Sequence, residues 1–349
     1  MTIAITVLAC KNNTSKNTNP SYENATDTYE VQHYDGEYKI IDNQFGTNTT
    51  MTIENGNRIM KTNGLPNHKT GEFPNSGNPN SISAQNLSYS FPLKPKLSGE
   101  SKWAREPRIA LNGVKFEPET AERFVCETGE VYRIEAFQEL VNLGLDYNNA
   151  HVQPTGAYHY HGAPKGLVEV LDKGEDIVLM GYAKDGFPIY YSKSGKYKPS
   201  FKLSSESRTG DACSYTAGKK TIKKELNNSS ADGIFVSDWT FDQTIGQLDE
   251  CNGISIDGEY CYFVTNEYPY VGRCLKGVFK LNHLEEDQEE IVRMEDQTDL
   301  HQEEMVVIEN RRDLHQKHIP MVMFTTHINL KCIFEITKSN FNESISLRI

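Results

Sequence analysis

Apolar and polar residues alternate along the early part of the chain. From residue 31 to residue 60 the alternation is broken mainly at Gly and Asn positions, which predicts strands joined by turns. Asn112-Gly113 in residues 108–116, and Lys184-Asp185-Gly186 in residues 177–191, predict two further hairpins. Long helical periodicity is scarce before residue 280. The pattern therefore predicts a mainly β fold with a few short helices, a β-rich α+β domain.

Two segments depart from this alternation. Between residues 134 and 145, Ile134, Phe137, Leu140 and Val141 recur at helical intervals, which predicts one amphipathic helix ending at Gly144. Residues 63–80 are rich in Pro, Gly and Asn and have no periodicity, which indicates a long loop. A loop of this length inside a domain is more often functional than idle.

A weak internal repeat runs through the β-rich part. Two strand–turn–strand segments place Gly after Asn or Asp, LNGV at 111–114 and KDGF at 184–187. Two Tyr alternations each follow a Leu-Asp pair, YHYH at 158–161 and YCYF at 260–263. The second copy keeps the aromatic residues and loses both histidines. The sequence indicates a weak duplication within one large domain; the alternative is a chance likeness among strands and Gly turns.

Charge and composition at the two ends of the chain differ from those of its middle part. The formal net charge is −12, and residues 281–349 hold 14 acids and only seven bases. This acidity argues against nucleic acid and anionic membrane surfaces as partners. An apolar run from residue 3 to residue 9 precedes Cys10, and a segment rich in Asn, Ser, Thr and Lys follows it. That order is typical of a lipoprotein signal and flexible tether, with a disordered cytoplasmic terminus as the alternative.

Three segments follow from these shifts in composition. We expect a lipoprotein signal and polar tether over residues 1–30, and a β-rich domain over residues 31–280. We expect an acidic tail over residues 281–349, whose structure the pattern does not define. The membrane would then be reached only through a lipid on Cys10, since no stretch is apolar for long enough to span it.

The most informative chemistry lies in the alternating Tyr-His run. His159 and His161 are two residues apart, so on a strand they share one face while the alternating tyrosines face the other way. His151 precedes a Pro154-Thr155-Gly156 turn that can fold it back toward the pair. Three converging imidazoles suit a transition-metal site with one open position. The alternative is an ordinary half-buried strand with histidines facing solvent.

His68, in the long loop, is a candidate fourth ligand. Three imidazoles accept zinc, copper, nickel or iron, and we expect a divalent ion with copper or zinc favoured. Function stays open among three classes. One is an exported metal-binding protein, another a metalloenzyme of the zinc hydrolase or copper oxidase type, and the third a metal-free surface or adhesion domain. The sequence shows no unmistakable general base beside the histidines, which favours binding over catalysis.

The chain resembles the YHYH-domain family, because that family's motifs occur here in the same order. They are NGLPNH at 63–68, FPN at 73–75, NPN at 78–80, LNGV at 111–114, YHYH at 158–161, DGFPIY at 185–190, LDECNG at 248–253 and YPY at 268–270. The resemblance covers roughly residues 55–277. It implies an extracytoplasmic protein suspected of binding metal, and it implies no reaction.

The cysteines and the missing motifs narrow the function classes. The seven cysteines include no Cys-x-x-Cys pair, which argues against a zinc ribbon or a thioredoxin-type site. Cys251 and Cys274 lie in the segment that resembles the family, and each flanks a Gly or aromatic turn, so we expect a disulfide between them. The sequence has no phosphate-binding Gly loop, no Gly-x-Ser-x-Gly and no His-Glu-x-x-His, which argues against nucleotide binding, a serine-hydrolase elbow and a zincin protease.

Overall fold

A computed structural model describes residues 34–279, and in this part the backbone is mainly β-strand. The strands there are β1 (Tyr38–Asp42), β2 (Thr47–Glu54), β3 (Asn57–Thr62), β4 (Leu87–Pro92), β5 (Leu97–Trp103), β6 (Arg108–Ala110), β7 (Lys115–Phe116), β8 (Arg123–Val125), β9 (Val131–Arg133), β10 (Ala150–Val152), β11 (Tyr158–Tyr160), β12 (Ile177–Ala183), β13 (Pro188–Ser192), β14 (Phe201–Leu203), β15 (Cys213–Ala217), β16 (Lys220–Lys224), β17 (Trp239–Phe241), β18 (Gly253–Ile256), β19 (Glu259–Val264) and β20 (Cys274–Gly277). The same part contains an α-helix, α1 (Lys165–Leu171), and a 3-10 helix (Val236–Asp238). The mainly β prediction is confirmed.

The hairpins expected from the alternating pattern are present. β1, β2 and β3 pair antiparallel in succession, and they cover the described part of the segment at residues 31–60. β6 and β7 turn at Asn112-Gly113, and β12 and β13 turn at Asp185-Gly186. Residues 63–80 contain no helix or strand, as the sequence predicted.

The helix predicted over residues 134–145 is wrong. Ile134 forms an isolated bridge with Phe235, and the following residues are irregular. The Gln138 side chain donates to the Val141 carbonyl at 2.9 Å and accepts from the Val141 N–H at 2.8 Å. Local side chains thus satisfy backbone groups that a helix would otherwise pair. The apolar residues of this segment are buried all the same. Ile134, Val141 and Leu143 pack in a separate apolar cluster, although the backbone of the segment is not helical.

The largest sheet has eight strands in the order β10-β11-β7-β6-β12-β13-β19-β18. Its two halves match. In each half an inner hairpin, β6–β7 or β12–β13, lies parallel to an outer one, β10–β11 or β18–β19. The halves meet where β6 pairs antiparallel with β12, with Arg108 opposite Ala183 and Ala110 opposite Gly181. From either edge, the sheet begins with an outer hairpin and continues with an inner hairpin, so it has a pseudo-twofold arrangement.

Side-chain contacts repeat between the halves as well. Tyr158 donates its hydroxyl hydrogen to Asp146 Oδ2 at 2.7 Å, and Tyr260 donates to Asp249 Oδ2 at 2.7 Å. Asn149 and Asn252 both have positive φ angles, 57° and 59°, at the entry to the matched outer hairpins. The internal repeat indicated by the sequence is therefore present in the structure.

The two faces of this sheet are covered differently. The sheet formed by β1–β4 packs on one face, and its Met60 and Phe91 share the main core with Tyr158, Tyr160 and Tyr262. A second four-stranded sheet, in the order β16-β15-β8-β9, has its own apolar cluster around Phe124 and Phe235. Residues of this second sheet and the histidines of the Tyr-His run line one cleft.

Two disulfides link distant parts of the described chain. Cys251–Cys274 is the pair expected from the sequence, and Cys126–Cys213 joins β15 to the segment after β8. Cys261 is a buried free thiol. Such bonds persist in oxidising compartments, so they indicate an extracytoplasmic location. Among residues 34–279 no helix has the length and apolarity to cross a membrane. The expected lipid site at Cys10 and the acidic tail lie outside the described residues.

Candidate metal centre

The β10–β11 hairpin brings the three histidines of the Tyr-His region together. His151 lies directly opposite His159 in the antiparallel pairing. His161 follows β11, and its N–H donates to the Asn149 carbonyl at 2.7 Å, which extends the pairing by one step. Because His159 and His161 are two residues apart on an extended chain, both share the face on which His151 lies. The sequence prediction that these three residues converge is supported by this geometry.

The three rings form a nearly equilateral triangle. Ring centroids are 4.6 Å apart for His151 and His159, 4.8 Å for His151 and His161, and 4.8 Å for His159 and His161. One ligand atom from each residue lies within 4.8 Å of the others, and the Nε2 atoms of His151 and His161 are 3.1 Å apart. Two nitrogens bound to one tetrahedral ion at 2.0–2.1 Å would be about 3.3 Å apart. These side chains could therefore hold a metal ion.

Backbone carbonyls orient two of the rings. His151 Nδ1 is 2.9 Å from the Leu143 carbonyl, and His159 Nδ1 is 3.3 Å from the Ala157 carbonyl. A hydrogen on Nδ1 in each ring leaves the Nε2 lone pair free for a metal. His161 Nδ1 is buried and has no hydrogen-bond partner. The arrangement thus resembles the outer contacts that commonly support metal-bound imidazoles.

Burial keeps His159 and His161 uncharged near neutral pH. His159 and His161 are each 2% exposed. Burial lowers the pKa of His159 well below its ordinary value, and the neighbouring His161 and His151 lower it further. The pKa of His161 is lowered by burial and then by His151. Metal binding requires neutral imidazoles, so the lowered pKa values of His159 and His161 favour metal binding.

The structure does not bring His68 to this cluster. His68 is buried, but its Nε2 is 2.7 Å from the Tyr160 hydroxyl and its Nδ1 is 3.0 Å from the Lys69 carbonyl. Tyr160 projects from the face of β11 opposite to the histidines. His68 therefore packs with the tyrosines, as the stacking distance of 5.9 Å to Tyr160 also shows. The expected fourth ligand is corrected to a residue of the opposite face.

Glu117 lies beside the cluster, and sequence reasoning missed it. Its Oε2 is 4.0 Å from His159 Nε2, and its side chain is 8% exposed. Lys115 Nζ, at 3.1 Å, and Gln153 Nε2, at 2.7 Å, both contact that oxygen. Burial raises the pKa of Glu117, and Lys115 opposes that rise. Glu117 comes next to His159 only because β7 pairs with β11, a pairing that residue spacing does not reveal.

The cluster opens onto a cleft of about 750 Å³. The long loop supplies one wall through residues 76–80, and Tyr215, Lys220 and Ile222 of the β15–β16 hairpin supply another. Asn78 and Asn80 donate their side-chain amides to the Val152 carbonyl at 2.9 and 2.7 Å, which fixes the loop to β10. The loop therefore shapes the space above the histidines. A fourth ligand of a bound ion would come from this cleft.

The matched positions in the second half of the sheet carry no imidazole. In the register of the outer hairpins, Ile254 lies opposite Cys261 as His151 lies opposite His159. Phe263 N–H donates to the Asn252 carbonyl at 2.8 Å, as His161 does to Asn149. Ile254, Cys261 and Phe263 pack together in an apolar cluster. The fold therefore forms this hairpin pair without histidines, and the polar cluster is specific to the first half.

Comparisons with known proteins agree with the motifs in this region. No curated protein matches the chain, and no solved structure matches it. The family model described as YHYH protein matches residues 88–277, which include β6 to β20 and all three clustered histidines. The chain belongs to the YHYH protein family.

Proposed function

We propose that this chain is an exported metal-binding protein that holds one divalent transition-metal ion at His151, His159 and His161. The observation that carries the proposal is the triangle of three buried imidazoles whose ligand atoms lie within 4.8 Å of one another. Copper or zinc is the favoured ion, since imidazole nitrogen suits both. One coordination position stays available on the cleft side.

The alternative of a metal-free adhesion domain gains no support from this cluster. Burial disfavours the protonation of His159 and His161, which keeps their ring nitrogens able to bind a metal. The apolar residues at the matched positions show that this fold does not require histidines here. Metal ligation would explain why imidazole rings occupy these positions in the first half of the sheet.

The test is metal analysis of the full chain, expressed without a histidine tag and recovered from an oxidising compartment. We expect one equivalent of a transition metal in the wild type and none in the His159→Ala, His161→Ala double variant. His68→Gln is the matched control, because it removes a buried histidine from the opposite face, and it should keep one equivalent. An empty wild-type protein at micromolar metal, or full occupancy of the double variant, contradicts the proposal.

We further propose that Cys10 carries a lipid anchor. The apolar run before it, the polar segment after it and the two disulfides in the described part support an exported, tethered protein. Cys10→Ser should move the protein from the membrane fraction to the soluble fraction while leaving metal content unchanged. Unchanged fractionation of the Cys10→Ser variant contradicts the anchor and leaves the metal proposal intact.

A further inference from the structure

Glu117 lies at the edge of the histidine cluster, where polar contacts with Lys115 and Gln153 hold its carboxylate. Its Oε2 lies 4.0 Å from His159 Nε2, farther than the roughly 3.3 Å expected between two ligands of one tetrahedral ion. The same oxygen already accepts from Gln153 and faces Lys115. The carboxylate is thus held beside the coordination sphere rather than within it. It also lines the cleft onto which the histidines open.

The second half of the sheet provides an independent observation. Counting from the matched turns at Gly113 and Gly186, the position of Glu117 corresponds to Tyr190, which pairs with Phe263. Gln153, the donor to Glu117, corresponds to Ile256. Tyr190 and Ile256 both pack in the apolar cluster that replaces the histidines. At these two matched positions the residues are therefore polar only in the half that carries the three imidazoles, so Glu117 and Gln153 occur together with the histidines.

We propose that the site is hydrolytic, with Glu117 as the proton acceptor and a carboxylic ester or amide as the substrate class. The inference rests on the metal site proposed above. An ion at that site would polarise the acyl oxygen and the attacking water. Among residues 34–279 a single cluster has metal-ligand geometry. Phosphoryl-transfer sites commonly use two ions, so one ion beside one carboxylate fits acyl hydrolysis better.

The atoms balance without a redox partner. The oxygen of a water molecule in the cleft forms a bond to the acyl carbon, and Glu117 Oε2 takes one proton from that water. The bond from the acyl carbon to the leaving oxygen or nitrogen then breaks, and Glu117 returns the proton to the leaving atom. The products are a carboxylic acid and an alcohol or amine. Gln153 and Lys115 act as positioning residues, since they contact Oε2 and fix its direction.

The test uses the full chain loaded with Co²⁺, a coloured substitute for zinc, and acetohydroxamic acid as the probe. This probe coordinates a metal and donates a hydrogen bond to a neighbouring acceptor. Wild type and Glu117→Gln should take up the same amount of Co²⁺. The probe should change the visible spectrum of the wild type, and its affinity for Glu117→Gln should be lower by about tenfold to a hundredfold, since a charge-assisted hydrogen bond is lost. Glu122→Gln, in the same cleft, is the matched control and should bind as the wild type does.

A second readout is metal-dependent hydrolysis of p-nitrophenyl acetate. Glu117→Gln should slow it by about 10²–10⁴-fold, the usual contribution of a positioned base, while Glu122→Gln keeps the rate. Equal probe affinity in wild type and Glu117→Gln overturns the role of Glu117. A wild-type rate no higher than that of the His159→Ala variant overturns hydrolysis. Failure of the wild type to bind Co²⁺ overturns the metal proposal itself, so the two failures are distinguishable.

Discussion

The Tyr-His run divides its residues between two environments according to the side of β11 that each one faces. Period-two spacing was enough to predict that His159 and His161 share a face and that the tyrosines face away, because a strand permits no other arrangement. The position of Glu117 beside His159 could not be predicted in this way, since it depends on β7 pairing with β11. His68 was misplaced for a similar reason, because spacing cannot tell which face of a strand a distant loop covers.

The lowered pKa values of His159 and His161 predict a pH dependence of stability. In the unfolded chain these residues titrate near 6.5, whereas in the folded metal-free protein they titrate lower. As pH falls below about 6.5 the unfolded state binds protons first, so the free energy of unfolding should decrease. The expected slope is about 1.4 kcal/mol per pH unit for each histidine, and the stabilisation is fully present above pH 6.5.

Denaturant unfolding of metal-free protein at pH 7.5 and 5.5 measures this effect. The His159→Gln, His161→Gln double variant is the reference, because other groups contribute equally to both proteins. Burial raises the pKa of Glu135, for example, and its contribution has the opposite sign. The wild type should lose more stability than the variant between the two pH values. An identical loss would show that the histidines titrate in the folded state as they do in the unfolded chain.

At the level of elements, turns were more predictable than the helix. Asn112-Gly113 marked its turn because the residue after Asn has a φ of 85°, which glycine adopts without strain. The apolar spacing at residues 134–145 predicted a helix that does not form, because Gln138 pairs with the backbone of Val141. The short helix α1 gave no usable signal, since its seven residues fill barely two turns.

Two glycine turns allow the cost of backbone strain to be measured separately from the cost of a steric clash. Gly113 and Gly258 have φ angles of 85° and 88°, so a side chain is strained at either position. A Cβ on Gly113 would also collide with Thr62 of β3, whereas one on Gly258 would meet open space. We expect Gly258→Ala to cost about 1–2 kcal/mol and Gly113→Ala to cost clearly more. Urea unfolding of both variants checks this, and equal losses would mean that the contact with β3 adjusts freely.

At the scale of the whole molecule, the sequence predicted the β-rich class, the family and the repeat, but not how the halves join. Their junction between β6 and β12 depends on strands far apart in the chain, and hydrophobic alternation carries no information on which distant strands pair. The Cys251–Cys274 bond was expected, whereas Cys126–Cys213 was not. That second bond closes a separation of 87 residues, and nothing in the cysteine spacing singles it out.

The disulfides should contribute measurably to global stability. They close separations of 23 and 87 residues, for which loop-entropy models give about 3–5 kcal/mol each. Non-reducing peptide mapping should recover both linked pairs, with Cys261 as a free thiol. Reduction should lower the urea midpoint of the full chain. Free thiols at all four positions in exported protein would contradict both the pairing and the oxidising compartment.

Because the sheet has two matched halves, the second half serves as an internal control for the first. Ile254, Cys261 and Phe263 show what the hairpin pair looks like without histidines. Copying them into the first half as His151→Ile, His159→Cys and His161→Phe should give a folded protein that takes up no metal. Its stability at pH 7 should match or exceed that of the metal-free wild type, because apolar residues need no hydrogen-bond partners when buried. Calorimetry with metal analysis decides this. A variant that fails to fold would show that the first half depends on its histidines for folding, whereas a stable variant would show that the framework is self-sufficient and that the proposed site is a removable part of it.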